Sequence, residues 1–247
     1  MRHLLLINPN TSASVTTLLH GHAQKTAGAL VLVHAFTARF GAPYIACEAS
    51  YAVAGHAVLD TWATALPTQT FDAVLIACFG DPGLMALREC SAAPVTGLAE
   101  AAFIEAAKTG RFVVVTGGAR WKPMLERLAQ NLGFGAQLAG VFTVAQSGAE
   151  LARDPIAARV ILSKACIDAA TQFDARCVIL GGAGLAGMAA QVQPLVNVPV
   201  IDSVIAGVSH ALKLPQPARA ANRHFDFSWT RVSPELAALG VTAPPTT

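Results

Sequence analysis

The sequence predicts an α/β protein of two pseudo-symmetric halves, each built on a parallel sheet, with a ligand site in the cleft between them. Composition, an alternation of short apolar runs with helical patterns, and an internal repeat support this prediction. The chain has 247 residues, of which 53% are hydrophobic and 13% charged, so it can bury a large core and is not expected to be disordered. Its longest run without a charged, amide or His side chain is 14 residues, at 177–190, and includes four glycines. That run is too short to span a bilayer as a helix.

Eight short runs rich in Val, Ile and Leu are predicted as strands, with helical patterns between them. In chain order they are 3–7, 30–36, 71–78, 94–96, 112–116, 141–144, 177–180 and 199–201. Helix starts are expected at Pro82 after Asp81, at Pro155 after Asp154, and at Pro123, since proline suits the first turn of a helix. Beyond residue 214 we expect a tail that packs its aromatic residues and frays at its A-P-P-T-T end.

The internal repeat relates the two halves of the chain. F-D-A-V-L-I-A-C-F-G at 71–80 resembles F-D-A-R-C-V-I-L-G-G-A-G at 173–184, and a Pro-Val strand that opens a helix follows each copy. Upstream, residues 3–12 match residues 111–120. The alignment pairs Asn8 with Thr116 and Cys78 with Gly182. The predicted halves are 1–105 joined by 206–247, and 106–205.

Ligands in open α/β sheets bind outside the carboxyl ends of the strands. Four strand-end loops should therefore meet in the cleft: 8–12, 78–81, 116–120 and 181–184. Cys78 ends a buried-type strand just before a predicted helix, where backbone N–H groups lower the pKa of a thiol. We therefore expect Cys78 to be the working thiol and the other four cysteines to be inert: Cys47, Cys90, Cys166 and Cys177.

Charge and cysteine usage limit the other classes of function. Seventeen basic and 15 acidic residues give a net charge of +2, too small for a nucleic-acid-binding surface. Five cysteines without a C-x-x-C pair argue against a disulfide framework and a zinc site. The N-terminus carries no signal-like apolar stretch. We therefore expect a cytoplasmic protein with a small-molecule substrate, no metal, no nucleic-acid or membrane partner, and assembly as a homo-oligomer.

Six segments resemble the aspartate/glutamate/hydantoin racemase superfamily, most closely its hydantoin and allantoin racemase branch. They are I-N-P-N-T-S at 7–12, A-C-F-G-D-P-G at 77–83, G-L-A-E-A-A at 97–102, V-V-T-G with R-W-K-P-M-L-E within 114–126, V-I-L-G-G-A-G-L-A at 178–186 and V-P-V-I-D at 198–202. The resemblance implies a cofactor-free site between two α/β domains, where two cysteines exchange a proton at a carbon next to a carbonyl. The first family cysteine corresponds to Cys78.

The second family cysteine is replaced in this chain. It belongs in an L-G-C-A-G-M pattern, whereas residues 180–185 read L-G-G-A-G-L, with Gly182 at the cysteine position. Racemisation needs an acid and a base on opposite faces of the carbon. The substitution therefore favours one-base chemistry, such as a decarboxylase or lyase that protonates one face. Gly182→Cys is expected to create or raise racemisation.

Several other residues are predicted to contact the substrate. Hydroxyl, amide and backbone groups there would stabilise an enolate or carboxylate oxygen, and Arg120 would hold a carboxylate. The predicted substrate-binding residues are Asn8, Thr11, Ser12, Phe79, Gly80, Thr116, Gly117, Arg120, Ala183 and Gly184. Asp81 is either a helix cap or an acidic neighbour of Cys78.

Two other functions stay open at the level of sequence. A G-x-G-x-x-G pattern runs from Gly182 to Gly187, with Asp202 20 residues after Gly182, as in NAD-binding proteins. However, only 45 residues follow Asp202. The loss of the second cysteine is also compatible with a homologue that binds its ligand without catalysis.

Overall fold

The computed structural model describes residues 1–215 and 225–241. The eight predicted strands are all present, and they alternate with helices. The strands are β1 (Arg2–Asn8), β2 (Val31–Thr37), β3 (Ala73–Ile76), β4 (Val95–Gly97), β5 (Phe112–Gly117), β6 (Leu138–Val144), β7 (Cys177–Leu180) and β8 (Val200–Asp202). The helices are α1 (Ala13–Ala27), α2 (Glu48–Ala65), α3 (Leu84–Cys90), α4 (Leu98–Ala107), α5 (Trp121–Asn131), α6 (Gly148–Arg153), α7 (Pro155–Gln172), α8 (Met188–Val192), α9 (Ser203–Ala211) and α10 (Pro234–Ala237).

The strands form two parallel sheets of identical topology. Their orders are β2-β1-β3-β4 and β6-β5-β7-β8. The registers also agree, because Ile7 pairs with Ile76 in the first sheet and Val115 pairs with Leu180 in the second. This confirms the two-sheet α/β fold class.

A shared apolar core joins the two halves. The central strands β3 and β7 are buried along their whole length, as expected for parallel strands covered on both faces. One core cluster combines Leu75 of the first sheet with Ile179 of the second. Phe103 of α4 stacks on Phe112 of β5, with ring centroids 5.6 Å apart. The two halves are therefore joined by continuous apolar packing.

Helix α9 follows the last strand of the second sheet but packs against the first half. It contacts α1, α4 and strand β3. The packing is close, since a Cβ atom at Gly207 would lie 2.7 Å from the Leu98 side chain and 3.1 Å from that of Leu75. The assignment of 206–247 to the first half is compatible with this return, although the exact boundaries stay predictions.

The predicted helix starts have different outcomes. Pro155 is the first residue of α7, and the Asp154 carboxylate accepts the N–H of Ala157, as predicted. Pro123 is the third residue of α5, still within its first turn. The start at Pro82 is wrong, because residues 81–83 form a turn and α3 begins only after Gly83, which has a left-handed conformation.

The described part of the C-terminal tail packs its aromatic residues, as predicted. Phe225, Phe227 and Trp229 contact one another, and the buried Leu236 of α10 packs in the cluster beside α2. The predicted polar stretch at 216–224 and the A-P-P-T-T end lie outside the described residues. Within 1–215 and 225–241, no helix has the length and apolar character to cross a membrane.

Candidate active site

A cavity of about 610 Å³ lies at the carboxyl ends of the strands and is lined by both halves. The first half contributes residues of the β1–α1, β2–α2 and β3–α3 loops, and the second half contributes the matching turns. Its lining residues include Asn10, Ser12, Ser14, Tyr44, Cys78, Phe79, Thr116, Gly117, Trp121, Gly148, Arg153, Gly181, Gly182, Ala183 and Gly184. The two positions paired by the repeat, 78 and 182, therefore border one cavity.

Cys78 lies in a tight turn directly after β3. It is 7% exposed, and its carbonyl accepts the N–H of Asp81 at 3.1 Å. Burial, and then the nearby Asp81 carboxylate, raise the pKa of the Cys78 thiol well above its usual range. The expectation of a lowered pKa is therefore wrong, because α3 begins six residues after Cys78 and its N-terminus does not stabilise a thiolate there.

Gly182 occupies the equivalent place after β7 with a different backbone. Its φ of 148° is one that residues with side chains rarely adopt. A Cβ atom at Gly182 would meet the Leu185 side chain at 3.4 Å, which is ordinary contact. Space thus exists for a side chain at this position, but the backbone conformation opposes one.

Phe79 brings the two turns together. A Cβ atom at Gly181 would overlap the Phe79 ring. Glycine at this position therefore allows the Phe79 side chain of the first half to pack against the turn of the second half. Gly80 is packed in a similar way, because a Cβ atom there would come within 2.5 Å of the Trp121 ring.

The loop after β1 presents an oriented amide to the cavity. Asn8 is fully buried, and its Nδ2 donates to Asn10 Oδ1, to the Ser12 carbonyl and to Thr16 Oγ1. Asn10 Oδ1 also accepts the Ser12 N–H at 2.9 Å. These bonds fix the Asn10 oxygen, so that Nδ2 of Asn10, which donates to no described residue, is left for a ligand.

The matching loop after β5 supplies a hydroxyl group. Thr116 stands at the place of Asn8, but its Oγ1 makes no hydrogen bond with any described residue. Gly117 lies beside it, where a Cβ atom would come within 2.5 Å of the Gln146 carbonyl oxygen. The close approach of residues 146–148 thus closes this side of the cavity.

The structure brings eight of the predicted site residues to the cavity and leaves four away from its wall. The eight are Ser12, Cys78, Phe79, Thr116, Gly117, Gly182, Ala183 and Gly184. Asn8 lies behind the cavity wall and donates a hydrogen bond to Asn10 Oδ1. Thr11 also lies away from the wall, and its N–H donates to the Ala42 carbonyl. Gly80 lies in the turn after β3, and its carbonyl oxygen accepts a hydrogen bond from the Tyr51 hydroxyl. Arg120 is exposed at the start of α5.

Sequence reasoning missed several side chains of the cavity wall, among them Asn10, Tyr44, Trp121 and Arg153. Asn10 lies in the quoted I-N-P-N-T-S segment, so its proximity to Asn8 was an available signal. The Tyr44 hydroxyl accepts the Gly148 N–H at 3.2 Å and a hydrogen bond from Trp121. Arg153, at the end of α6, places a cation at the cavity and forms no ion pair with a described residue.

The other four cysteines do not line this cavity. Burial raises the pKa values of Cys90, Cys166 and Cys177. Cys47 differs, because it is partly exposed and hydrogen bonds from Ser50 lower the pKa of its thiol. Cys47 is therefore the thiol expected to react fastest with an alkylating reagent, in place of Cys78.

Asp202 has a structural role that weakens the NAD-binding interpretation. Its Oδ1 accepts the N–H groups of Val204 and Ile205 at the start of α9, and its Oδ2 accepts the Gly187 N–H at 2.8 Å. These bonds give Asp202 the role of a helix cap that also holds the backbone at residue 187, and this role accounts for the acid without a ribose. No cluster of three or more potential metal-ligating side chains occurs in the part of the chain that the structure describes.

Two repeated α/β units with a cavity between equivalent strand ends define a class of duplicated two-sheet proteins. A family model described as Asp/Glu/Hydantoin racemase matches residues 4–211. The chain therefore belongs to the Asp/Glu/hydantoin racemase family, a family of enzymes.

Individual relatives support the hydantoin racemase branch of this family. The chain is 32% identical over 207 residues to a hydantoin racemase of Pseudomonas sp. (strain NS671), covering 83% of each chain. It is 31% identical over 237 residues to that of Rhizobium meliloti, covering 93% and 95%. The structure of an allantoin racemase from Klebsiella pneumoniae has a TM-score of 0.86 and 29% identity, covering 97% and 99%. Arylmalonate decarboxylase, at 18% identity and a TM-score of 0.57, shares the fold.

Proposed function

We propose that this protein is a cofactor-independent enzyme in which Cys78 transfers a proton at the carbon next to a carbonyl of a hydantoin-, amino-acid- or carboxylate-like small molecule. The observation that carries the proposal is the position of Cys78. Its thiol borders the inter-sheet cavity, at a strand end that the repeat places at the cleft and that the family resemblance assigns to an acid–base group.

The cavity offers groups that fit such a reaction. Loss of a proton next to a carbonyl places negative charge on the carbonyl oxygen. Positioned hydrogen-bond donors stabilise that charge. Asn10 Nδ2 and Thr116 Oγ1 are donors at the cavity without a described protein partner, and Arg153 adds a cation for a carboxylate or a ring carbonyl.

The protonation state of Cys78 favours proton donation. Because its thiol pKa is raised, Cys78 carries its proton at neutral pH. In the donating step its S–H bond breaks, the enolate carbon supplies the electron pair of the new C–H bond, and a thiolate remains. Racemisation also requires a group that removes a proton from the other face, where the family cysteine is replaced by Gly182.

A one-base lyase is the second candidate function, and Gly182 favours it. When carbon dioxide leaves a substrate, the C–C bonding pair becomes the carbanion pair. A neutral thiol on one face is then sufficient to complete the reaction. The groups described above serve this reaction without a second thiol.

Enantiopure 5-substituted hydantoins in deuterated water test the proposal. Racemisation with deuterium at the stereocentre is expected of an isomerase, and carbon dioxide release from an α-carboxylated analogue is expected of a lyase. Cys78→Ala should lower either rate by about 10²- to 10⁴-fold, the usual contribution of a positioned acid or base. Cys90→Ala, at a buried cysteine in another core cluster, is the matched control. Full activity in Cys78→Ala would contradict the proposal, and binding without turnover would support a non-catalytic homologue.

The proposal includes a small-molecule substrate, residence in the cytoplasm and assembly as a homo-oligomer, without a nucleic-acid or membrane partner. Sedimentation and localisation experiments test these points separately from the chemistry.

A further inference from the structure

Asp81 connects the Cys78 turn to a helix that starts elsewhere in the chain. Its carboxylate is buried, and its two oxygens accept the N–H of Ala99 at 2.9 Å and of Glu100 at 2.7 Å, in the first turn of α4. The residue at the N-cap of α4 is Gly97, which has no side chain to cap the helix itself. A Cβ atom at Gly97 would overlap the Asp81 carboxyl group, so glycine is required where Asp81 enters.

This arrangement holds the turn that carries Cys78. Asp81 has a φ of 52°, a left-handed conformation that aspartate tolerates better than most residues. Its own N–H donates to the Cys78 carbonyl, while its carboxylate is held by α4. A single residue thus joins Cys78 to a helix N-terminus through a backbone bond and a side-chain cap.

The second half has the same cap without the carboxylate in the turn. At the place of Gly97 it has Asp202, which caps α9 from the ordinary N-cap position. At the place of Asp81 it has Leu185, whose N–H donates to the Gly182 carbonyl just as that of Asp81 donates to Cys78. Capping therefore does not require an acid three residues after position 78 or its counterpart 182, and the acid occurs in the half that has the thiol.

We propose that Asp81 is a positioning residue that keeps the Cys78 thiol protonated and fixed in direction, so that Cys78 meets its substrate as a proton donor. This inference depends on the acid–base role of Cys78 proposed above. The other titratable groups near this pair are Glu100 on α4, Tyr51 on α2 and Tyr44 in the loop before α2. Glu100 is paired with Arg88 at 2.6 Å, so its charge is largely compensated.

Burial raises the pKa of Asp81 to about 7, although the hydrogen bonds from the N–H groups of Ala99 and Glu100 lower it. Asp81 is consequently ionised in the neutral to alkaline pH range, and there its negative charge opposes ionisation of the Cys78 thiol most strongly. This supports the geometric argument, since repulsion between two buried negative charges needs no direct contact.

Two matched double variants separate charge from capping. Asp81→Gly/Gly97→Asp moves the carboxylate to the N-cap position of α4, and Asp81→Gly/Gly97→Asn places a neutral cap there. Gly97 has an extended backbone with a φ of −120°, which accepts either side chain, and glycine accepts the φ of 52° at position 81. The two variants differ in charge alone.

The test is the pH dependence of iodoacetamide alkylation at Cys78, followed by peptide mass spectrometry from pH 6 to 11. The neutral double variant should react at Cys78 about 10-fold faster at pH 8 than the charged one, which corresponds to a pKa difference of about one unit. Cys47 is the internal reference and should react equally in both. Equal rates at Cys78 in the two double variants, whether slow or fast, would overturn the proposal.

The measurement requires no turnover, so its outcome is independent of whether the proposed reaction is correct. Thermal unfolding shows whether both caps are formed. If either double variant fails to fold, Asp81→Asn provides the same comparison against the native chain. An unchanged Cys78 alkylation profile in Asp81→Asn overturns the inference equally.

Discussion

The two halves share one scaffold and differ at the ends of their central strands. Strand order is identical, and the register of the central strand pairs β1–β3 and β5–β7 agrees, so that Asn8 corresponds to Thr116 as Cys78 corresponds to Gly182. In the first half this edge carries a thiol, a buried acid and a fixed amide. In the second half it carries glycines and a hydroxyl. The comparison teaches that the thiol and the buried acid at these strand ends both belong to the first half, while the second half supplies the Thr116 hydroxyl, the Arg153 cation and part of the cavity wall.

Backbone conformation differs together with side-chain identity. Cys78 is not among the described residues with positive φ, whereas Gly182 has a φ of 148°. Gly182 thus lies in a turn that a cysteine side chain would strain. The symmetry of the fold therefore does not extend to the backbone conformation at position 182, where a second acid–base group would lie.

The largest expected effect is on the racemisation rate and comes from placing a thiol at position 182, the counterpart of Cys78. Gly182→Cys should racemise enantiopure hydantoins about 10-fold or more faster than the native protein. This is less than the full 10²- to 10⁴-fold of a well-placed base, because positive φ costs a side chain about 1–3 kcal/mol. Gly182→Ala carries the same strain without a thiol and is the control for chiral analysis. If the two variants racemise at equal rates, another group supplies the second proton.

An intermediate effect is expected from the amide that the first half presents. Asn10→Asp replaces the free Nδ2 donor by a carboxylate, which repels an enolate oxygen. It should lower kcat/KM by about 10-fold, the equivalent of about 1.5 kcal/mol, the lower end for a hydrogen bond to a charged group. Asn131→Asp, the same change at an exposed position on α5, should leave kcat/KM unchanged. An equal effect of both changes would remove Asn10 from the site.

The smallest expected effect is on stability and concerns the cap that differs between the halves. Gly97→Ala forces the Asp81 carboxyl away from α4 and should lower the free energy of unfolding by about 2 kcal/mol through loss of a buried polar contact. Gly21→Ala on α1, where no atom lies within 4 Å of the new methyl group, should instead raise it by about 0.5–1 kcal/mol. Urea denaturation of both variants measures the difference. Equal stability would show that Asp81 does not depend on Gly97.

The local sequence pattern was sufficient to predict the strands but not the side chains that line the cavity. The eight apolar runs are rich in Val, Ile and Leu, and β3, β4, β5 and β7 are buried throughout, so composition was enough to predict them. The repeat paired positions 78 and 182 correctly. Tyr44 reaches the cavity from the loop before α2 and Arg153 from the end of α6, and the positions of both segments depend on long-range packing that no local signal predicts. The expected pKa of Cys78 was wrong for a local reason. The D-P-G segment at 81–83 was interpreted as a helix start, although proline and glycine in succession are also typical of a turn.

The return of α9 to the first half has a consequence for biosynthesis. Residues 203–211 cover α1, α4 and strand β3, yet they leave the ribosome after the whole second sheet has been made. The sheet that is synthesised first therefore waits, with part of its apolar surface uncovered, until the end of translation. We therefore expect a chain interrupted before residue 203 to expose part of the apolar surface of its first sheet and to be prone to aggregation.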